Sequence, residues 1–147
     1  MTDGFLEAIW RKRSHGGGMD PLESAVLLAG VGLEGSADQG GRRQVTLIEA
    51  EVFETVAAEL GRPVDPAARR ANLLLRGLVL ADSRGREIQV GACRIRILGE
   101  TRPCEVMDAA VPGLRAALSP PWRGGAFGEV VTGGTVRRGD PVRWVEA

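Results

Sequence analysis

Arg102-Pro103-Cys104 places a thiol two residues from a guanidinium, with a proline between them that ends strand pairing. A neighbouring cation favours the thiolate, which is the form that attacks, ligates metals and carries sulfur. Glu105 acts the other way, and a free cysteine is equally at home as a small buried hydrophobe. Arg70-Ala71-Asn72 sets an arginine fork and an amide on alternate positions. Such a pair suits an anionic ligand with hydrogen-bonding edges, although a solvated arginine beside a turn-closing asparagine has the same sequence. Gly35 to Arg43 is polar and glycine-rich and ends on two arginines. Backbone N–H groups of such a loop can cradle an anion, and the loop is expected to be mobile or ordered by a ligand. It has no Gly-Lys-Ser/Thr and so is not a phosphate-binding P-loop. His15 is the single histidine and stands beside three glycines, which gives neither a zinc set nor a Ser/His/Asp triad.

Short strands must position these residues. Phe5 to Lys12 reads as an opening strand, followed by a flexible Arg13-Ser-His-Gly-Gly-Gly loop. Ala25 to Ala29, Gln44 to Ile48 and Asn72 to Leu75 are apolar runs bounded by turn residues. Glu87 to Val90 and Cys93 to Leu98 alternate; in the second, Cys93, Ile95 and Ile97 share one face and Arg94 and Arg96 the other. Cys93 is therefore expected in the core. Glu49 to Leu60 is the best helix, with Ile48, Val52, Val56 and Leu60 at i, i+4 spacing and Phe53 and Ala57 beside them. Gly61 and Pro63 stop it, and Asp65-Pro66 starts a brief further turn. Val111 to Leu118 reads as a short helix ended by Pro120-Pro121. Ala126 to Thr132 and Pro141 to Val145 close the chain as strands, with turn signals at Gly133-Gly134 and Arg138-Gly139-Asp140. The expected fold is mainly β with a few helices, a closed or partly closed barrel with the Glu49–Leu60 helix packed across it.

Composition narrows the function. The 147 residues fit a single domain spanning 1–147 and can bury a core without staples. Net charge is zero, with 19 basic and 19 acidic side chains, so no nucleic-acid partner is expected. All basic residues but Lys12 are arginines, so only an arginine's position, not its number, is informative. No apolar run approaches the ~18 residues of a membrane span, and Met1 to Glu7 has no basic region leading an apolar one, so neither a membrane partner nor a signal peptide is expected. Two cysteines suit a reducing cytoplasm.

The ordered set of segments resembles the MOSC domain, named for the C-terminal domain of molybdenum-cofactor sulfurase. The matching pieces are Gly32-Leu-Glu-Gly35, Arg43-Gln-Val-Thr-Leu-Ile48, Arg70-Ala-Asn-Leu-Leu74, Gly77, Gly91, Pro103-Cys104, Arg123-Gly-Gly125, Gly134 and Gly139-Asp140. The resemblance implies a β-barrel like the small barrel domain of pyruvate kinase. It also implies that Cys104 is the key cysteine, which carries sulfur in MOSC sulfurases and ligates molybdenum in relatives of the amidoxime-reducing component. Arg70 and Asn72 match the family's Arg-x-Asn, which contacts the pterin and its phosphate, and Arg43 and Arg102 would add positive field.

Three functions follow as expectations. The first is a unit binding the molybdenum cofactor (molybdopterin), an oxidoreductase acting on N-hydroxylated or similar small substrates. Two cysteines cannot hold an iron–sulfur cluster, so its electrons would come from a donor protein. The second is a sulfur carrier whose Cys104 takes a persulfide from a cysteine desulfurase. The third is a cofactor-free barrel used for interaction. Many small family members have Gly-Asp after Gly-Leu-Glu, whereas Ser36-Ala37-Asp38 follows Gly35 here, so the acid is missing or displaced. Covalently bound pyridoxal phosphate is not expected. Arg70, Asn72 and Cys104 are expected to converge on one pocket, with Cys104 and not Cys93 the functional thiol.

Overall fold

The structure is a computed structural model that describes residues 4–37, 39–103 and 106–146. Eleven strands and three short α-helices make up the described chain: β1 (Gly4–Lys12), β2 (Met19–Leu22), β3 (Ser24–Leu28), β4 (Gly32–Leu33), β5 (Val45–Glu49), α1 (Ala50–Leu60), β6 (Leu73–Arg76), β7 (Glu87–Val90), β8 (Cys93–Glu100), α2 (Val106–Ala110), α3 (Leu114–Ala117), β9 (Ala126–Thr132), β10 (Gly134–Arg137) and β11 (Pro141–Trp144). The main sheet runs β11-β7-β8-β9-β5-β6-β1, and β1 pairs with β11 to close it into a seven-stranded barrel. Strand β1 divides one edge between two partners: Gly4 and Phe5 face β11, and Ile9 to Lys12 face β2. β10, β3 and β4 form a separate three-stranded sheet.

Alternation explains the barrel wall. On β8 Cys93, Ile95 and Ile97 are fully buried, while Arg96 points outward to Glu87 at 3.2 Å and Glu129 at 2.9 Å. Burial pushes the Cys93 thiol up, with the Asp140 charge adding to it, so this cysteine is a core residue without thiolate character. Strands β5 and β6 are the parallel pair, joined by α1. They are covered on both faces, which is why Leu73, Leu74 and Leu75 run on without alternation. Leu47, Leu73 and Leu75 enter the barrel core. Ile48 and Leu74 meet Phe53 and Val56 of α1 in a second apolar layer that also holds Met107, Leu114 and Leu118. The helix thus lies across the barrel on its predicted stripe. Gly61 caps it at φ 68°, and the Asp65 carboxylate accepts from Ala67 N to start a 3₁₀ turn at Pro66–Arg69.

The second predicted helix differs from expectation. Only Leu114–Ala117 of Val111 to Leu118 is helical, because Gly113 sits at φ 87°, and a separate helix, α2, comes before it. β2, β4 and β10 are further strands that the sequence pattern does not separate from loops. Among the described residues no helix is long and apolar enough to cross a membrane.

Glu49 ends β5 at the helix boundary and is only 8% exposed. Burial raises its carboxyl to about 7 against a backbone hydrogen bond at Leu80, and Glu51 raises it further. The folded protein then holds this proton more tightly than the unfolded chain does. Stability contributed by the neutral form should be lost as pH rises from the ordinary carboxylate range to about 7, and be flat above. Glu49→Gln should remove that slope and raise stability at pH 8 by up to ~3 kcal/mol. Melting curves of both proteins from pH 4.5 to 8 check this; a wild-type stability that climbs across the window would refute it.

Candidate functional site

The 3₁₀ turn delivers Arg70 in an unusual backbone state. Arg70 adopts the left-handed conformation, φ 64° and ψ 36°, with its N–H bonded to Ala67 O at 3.0 Å. A non-glycine residue in this region carries strain and needs neighbours that fix it. Residues on either side do so. Arg69 Nε donates to Gly124 O at 2.9 Å, and Asn72 N donates to Thr46 O at 3.1 Å.

The Asn72 side chain uses its full hydrogen-bonding capacity inside the protein. Its Oδ1 accepts from Thr46 N at 3.1 Å and Thr46 Oγ1 at 3.2 Å. Its Nδ2 donates to Trp10 O and to Ser36 Oγ, both at 3.3 Å. Ser36 is 5% exposed and also accepts from Lys12 N at 3.1 Å. Ser36 is therefore a buried acceptor joining β1 to the glycine-rich loop. That loop is tied down further: Ala37 N donates to Lys12 O at 2.9 Å and Gly40 N to Val31 O at 2.9 Å.

These segments enclose a cleft of about 480 Å³ that Arg43, Arg70 and Asn72 all line. Lys12, His15 and Arg69 line it too, so five nitrogen-bearing basic side chains meet there, and no carboxylate does among the described residues. Arg43 is steadied by the Phe127 ring, whose centroid lies 5.0 Å from its guanidinium carbon. Arg70 Nη2 is buried and has no hydrogen-bond partner among the described residues. A buried guanidinium N–H without an acceptor is costly, and a phosphate or carboxylate oxygen is the acceptor that suits it best.

Arg102 behaves otherwise. Its side chain is 84% exposed, lies 3.8 Å from Glu100 Oε1, and does not line the cleft. An exposed pair of that length contributes little. Cys104 lies outside the described residues, so its convergence with Arg70 and Asn72 is not described. Thr101 and Met107, three positions before and after it in the chain, both line the cleft. Among the described residues no group of His, Cys, Asp or Glu could by itself hold a metal ion.

Lys12, His15, Thr46 and Arg69 were not singled out as site residues by the sequence. Lys12 ends a strand and Thr46 lies inside one, so nothing local marks them. Only the pairing of β1, β5 and β6 brings them together.

A closed seven-stranded barrel with a cleft whose described lining is basic is the class that fold and site define. The chain belongs to the MOSC domain family, which matches residues 12–143. Among solved structures it is similar to YuaD from Bacillus subtilis, at 20% identity and a TM-score of 0.77, covering 96% of this chain and 94% of that one. YiiM from Geobacillus stearothermophilus is similar at 20% identity and 0.77, covering 97% and 75%. YiiM from Escherichia coli is similar at 19% and 0.74, covering 97% and 70%. At these identities the likeness shows the fold alone. No curated protein matches the chain.

Replacing Asn72 should be expensive for the fold as well as the cleft. Asn72→Ala takes the amide away from Trp10 O and Thr46 N, leaves Ser36 Oγ with Lys12 N alone among the described residues, and should cost about 2–4 kcal/mol. Asn72→Asp keeps the acceptor but loses both donors and should cost nearly as much. Ser36→Ala should cost about 1–2 kcal/mol. Urea denaturation measures all three; a neutral Asn72→Ala would show that these bonds do not hold the cleft.

Proposed function

We propose that the cleft binds the molybdenum cofactor and that the protein is an oxidoreductase unit acting on N-hydroxylated or similar small substrates, with electrons from a partner protein. The observation that carries this reading is the buried, unpartnered Nη2 of Arg70 in a cleft without a carboxylate among the described residues. Membership of the MOSC family, which is linked to this cofactor, supports it. The residues fit the group. A phosphate end needs cationic donors, which Arg70 and Arg43 supply, and a high-valent metal held by a dithiolene takes a soft thiolate well.

In this reading Arg70 binds the phosphate and Arg43 adds charge and a planar face. Asn72 keeps the wall in place through Thr46, Trp10 and Ser36, and Cys104 is the thiolate ligand. Arg102 contributes field only, weakened by its exposure and by Glu100. When bound, the cofactor supplies two-electron redox chemistry at its metal. The chain's own work is to hold the group and fix its orientation.

The test is metal and pterin analysis of protein made in a host that assembles the cofactor. Wild type should carry molybdenum and pterin in near-equal amounts. Cys104→Ser should lose the metal, and Cys93→Ala should keep it while losing about 1–3 kcal/mol of stability. Arg70→Ala should lower pterin retention by at least ~10-fold, the scale of a charge-assisted hydrogen bond. A wild type free of molybdenum that carries one extra sulfur atom on Cys104 would replace this reading with the sulfur-carrier one. A chain with neither load would leave an interaction module.

A further inference from the structure

Arg69 precedes Arg70 in the chain, and its side chain reaches across the fold. Its Nε donates to Gly124 O at 2.9 Å and its Nη2 to Arg102 O at 3.5 Å. Thr101 Oγ1 donates to the same Gly124 oxygen at 2.6 Å, and Thr101 N donates to Gly125 O at 2.9 Å. One carbonyl oxygen has two lone pairs, so Gly124 O is shared between Arg69 and Thr101. The backbones meet so closely that a Cβ on Gly124 would stand 2.2 Å from Thr101 O, and one on Gly125 2.2 Å from Leu47 O. Gly125, at φ 99°, also occupies backbone space that a side chain resists. Thr101 is 3% exposed, so the threonine end of this junction is buried, while the contact to Arg102 O lies at the surface.

We propose that Arg69 is a positioning residue: its guanidinium fork joins the Pro66–Arg69 turn to the exit of β8 at Thr101–Arg102 and to the Gly124–Gly125 backbone, and so sets the rim of the cleft relative to Arg70. The fork's shape is what matters, because two N–H groups at a fixed spacing reach two carbonyls on different segments. A lysine in its place keeps the charge and offers one ammonium, which cannot hold that spacing. Arg70 follows directly in the chain in its left-handed state, so the tether on Arg69 also holds the backbone that aims Arg70. This inference rests on the proposed function only for the identity of the ligand that the rim helps retain; the tether itself is a property of the chain alone.

The experiment uses Arg69→Lys and Arg69→Ala in the full chain, with two readouts. Hydrogen exchange of the cofactor-free protein should rise at least ~10-fold at the Thr101 and Gly125 amides in both variants, a local opening that leaves β8 before Gly99 and β9 after Ala126 unchanged. In protein from a cofactor-making host, molybdenum retained after dialysis should fall at least ~10-fold in both variants, with no rescue by lysine. Wild-type exchange at those two amides in Arg69→Lys would overturn the proposal, as would a uniform rise across the barrel, which marks general loosening. If the rim opens but wild type itself carries no molybdenum, the tether stands and the proposed function fails. If wild type is loaded and Arg69→Lys is loaded equally with an unchanged rim, the tether fails alone.

Discussion

The cleft hangs on Asn72, whose backbone bonds Thr46 O at 3.1 Å and Trp10 N at 2.8 Å and whose side-chain amide adds bonds to Thr46, Trp10 and Ser36. β1 and β5 both lie alongside β6, one antiparallel and one parallel, and their ladders to it begin at Leu73. Just before that point the chain must leave a left-handed arginine and enter the sheet. Asn72 fills the junction with two acceptor and two donor bonds, reaching Thr46 on one side and Trp10 and Ser36 on the other. Each bond is modest, about 1 kcal/mol net, but removing the amide strands several buried groups together, and that loss is the larger number. Ser36 then passes the constraint to Lys12, so strand β1 and the loop after β4 move as one wall.

Basic residues gather in the cleft because the scaffold around them is rigid. Arg43 rests on Phe127, Arg69 is bound to two carbonyls, and Arg70 is fixed between tethered neighbours. Elsewhere on the surface carboxylates pair with arginines: Arg123 with Glu59 at 2.8 Å and Arg138 with Glu23 at 2.8 Å. Overall neutrality is therefore compatible with a cleft whose described lining is basic. A local field of this kind favours an anion by position, which is the only argument an arginine-rich chain of zero net charge allows.

Much of the fold was legible because its signals are local. The alternation of Cys93 to Ile97, the stripe of Val52, Phe53 and Val56 with Gly61 behind it, and Asp65-Pro66 all act within one turn or one strand. β2 was not legible, since Met19-Asp-Pro-Leu22 is short and half-exposed and borrows its regularity from β1. β4 has two residues, and β10 follows a double glycine that reads as a turn. The helix expected over Val111 to Leu118 is broken by Pro112-Gly113, a pair whose meaning the apolar spacing hid. At the site, Arg43, Arg70 and Asn72 were visible from residue type and family pattern. Lys12, His15 and Arg69 became visible only through long-range pairing, and the exposure of Arg102 depends on where β8 ends rather than on its neighbour Pro103.

The central claim is that the unpaired guanidinium nitrogen of Arg70 exists to meet a phosphate. The most direct measurement is a crystal structure of the chain purified from a host that makes the molybdenum cofactor. The account predicts a phosphate oxygen within hydrogen-bond distance, about 2.7–2.9 Å, of Arg70 Nη2, with Asn72 still bonded to Thr46 and Ser36. A cofactor bound away from this cleft, or bound in it with Arg70 Nη2 still without an acceptor, would contradict the account.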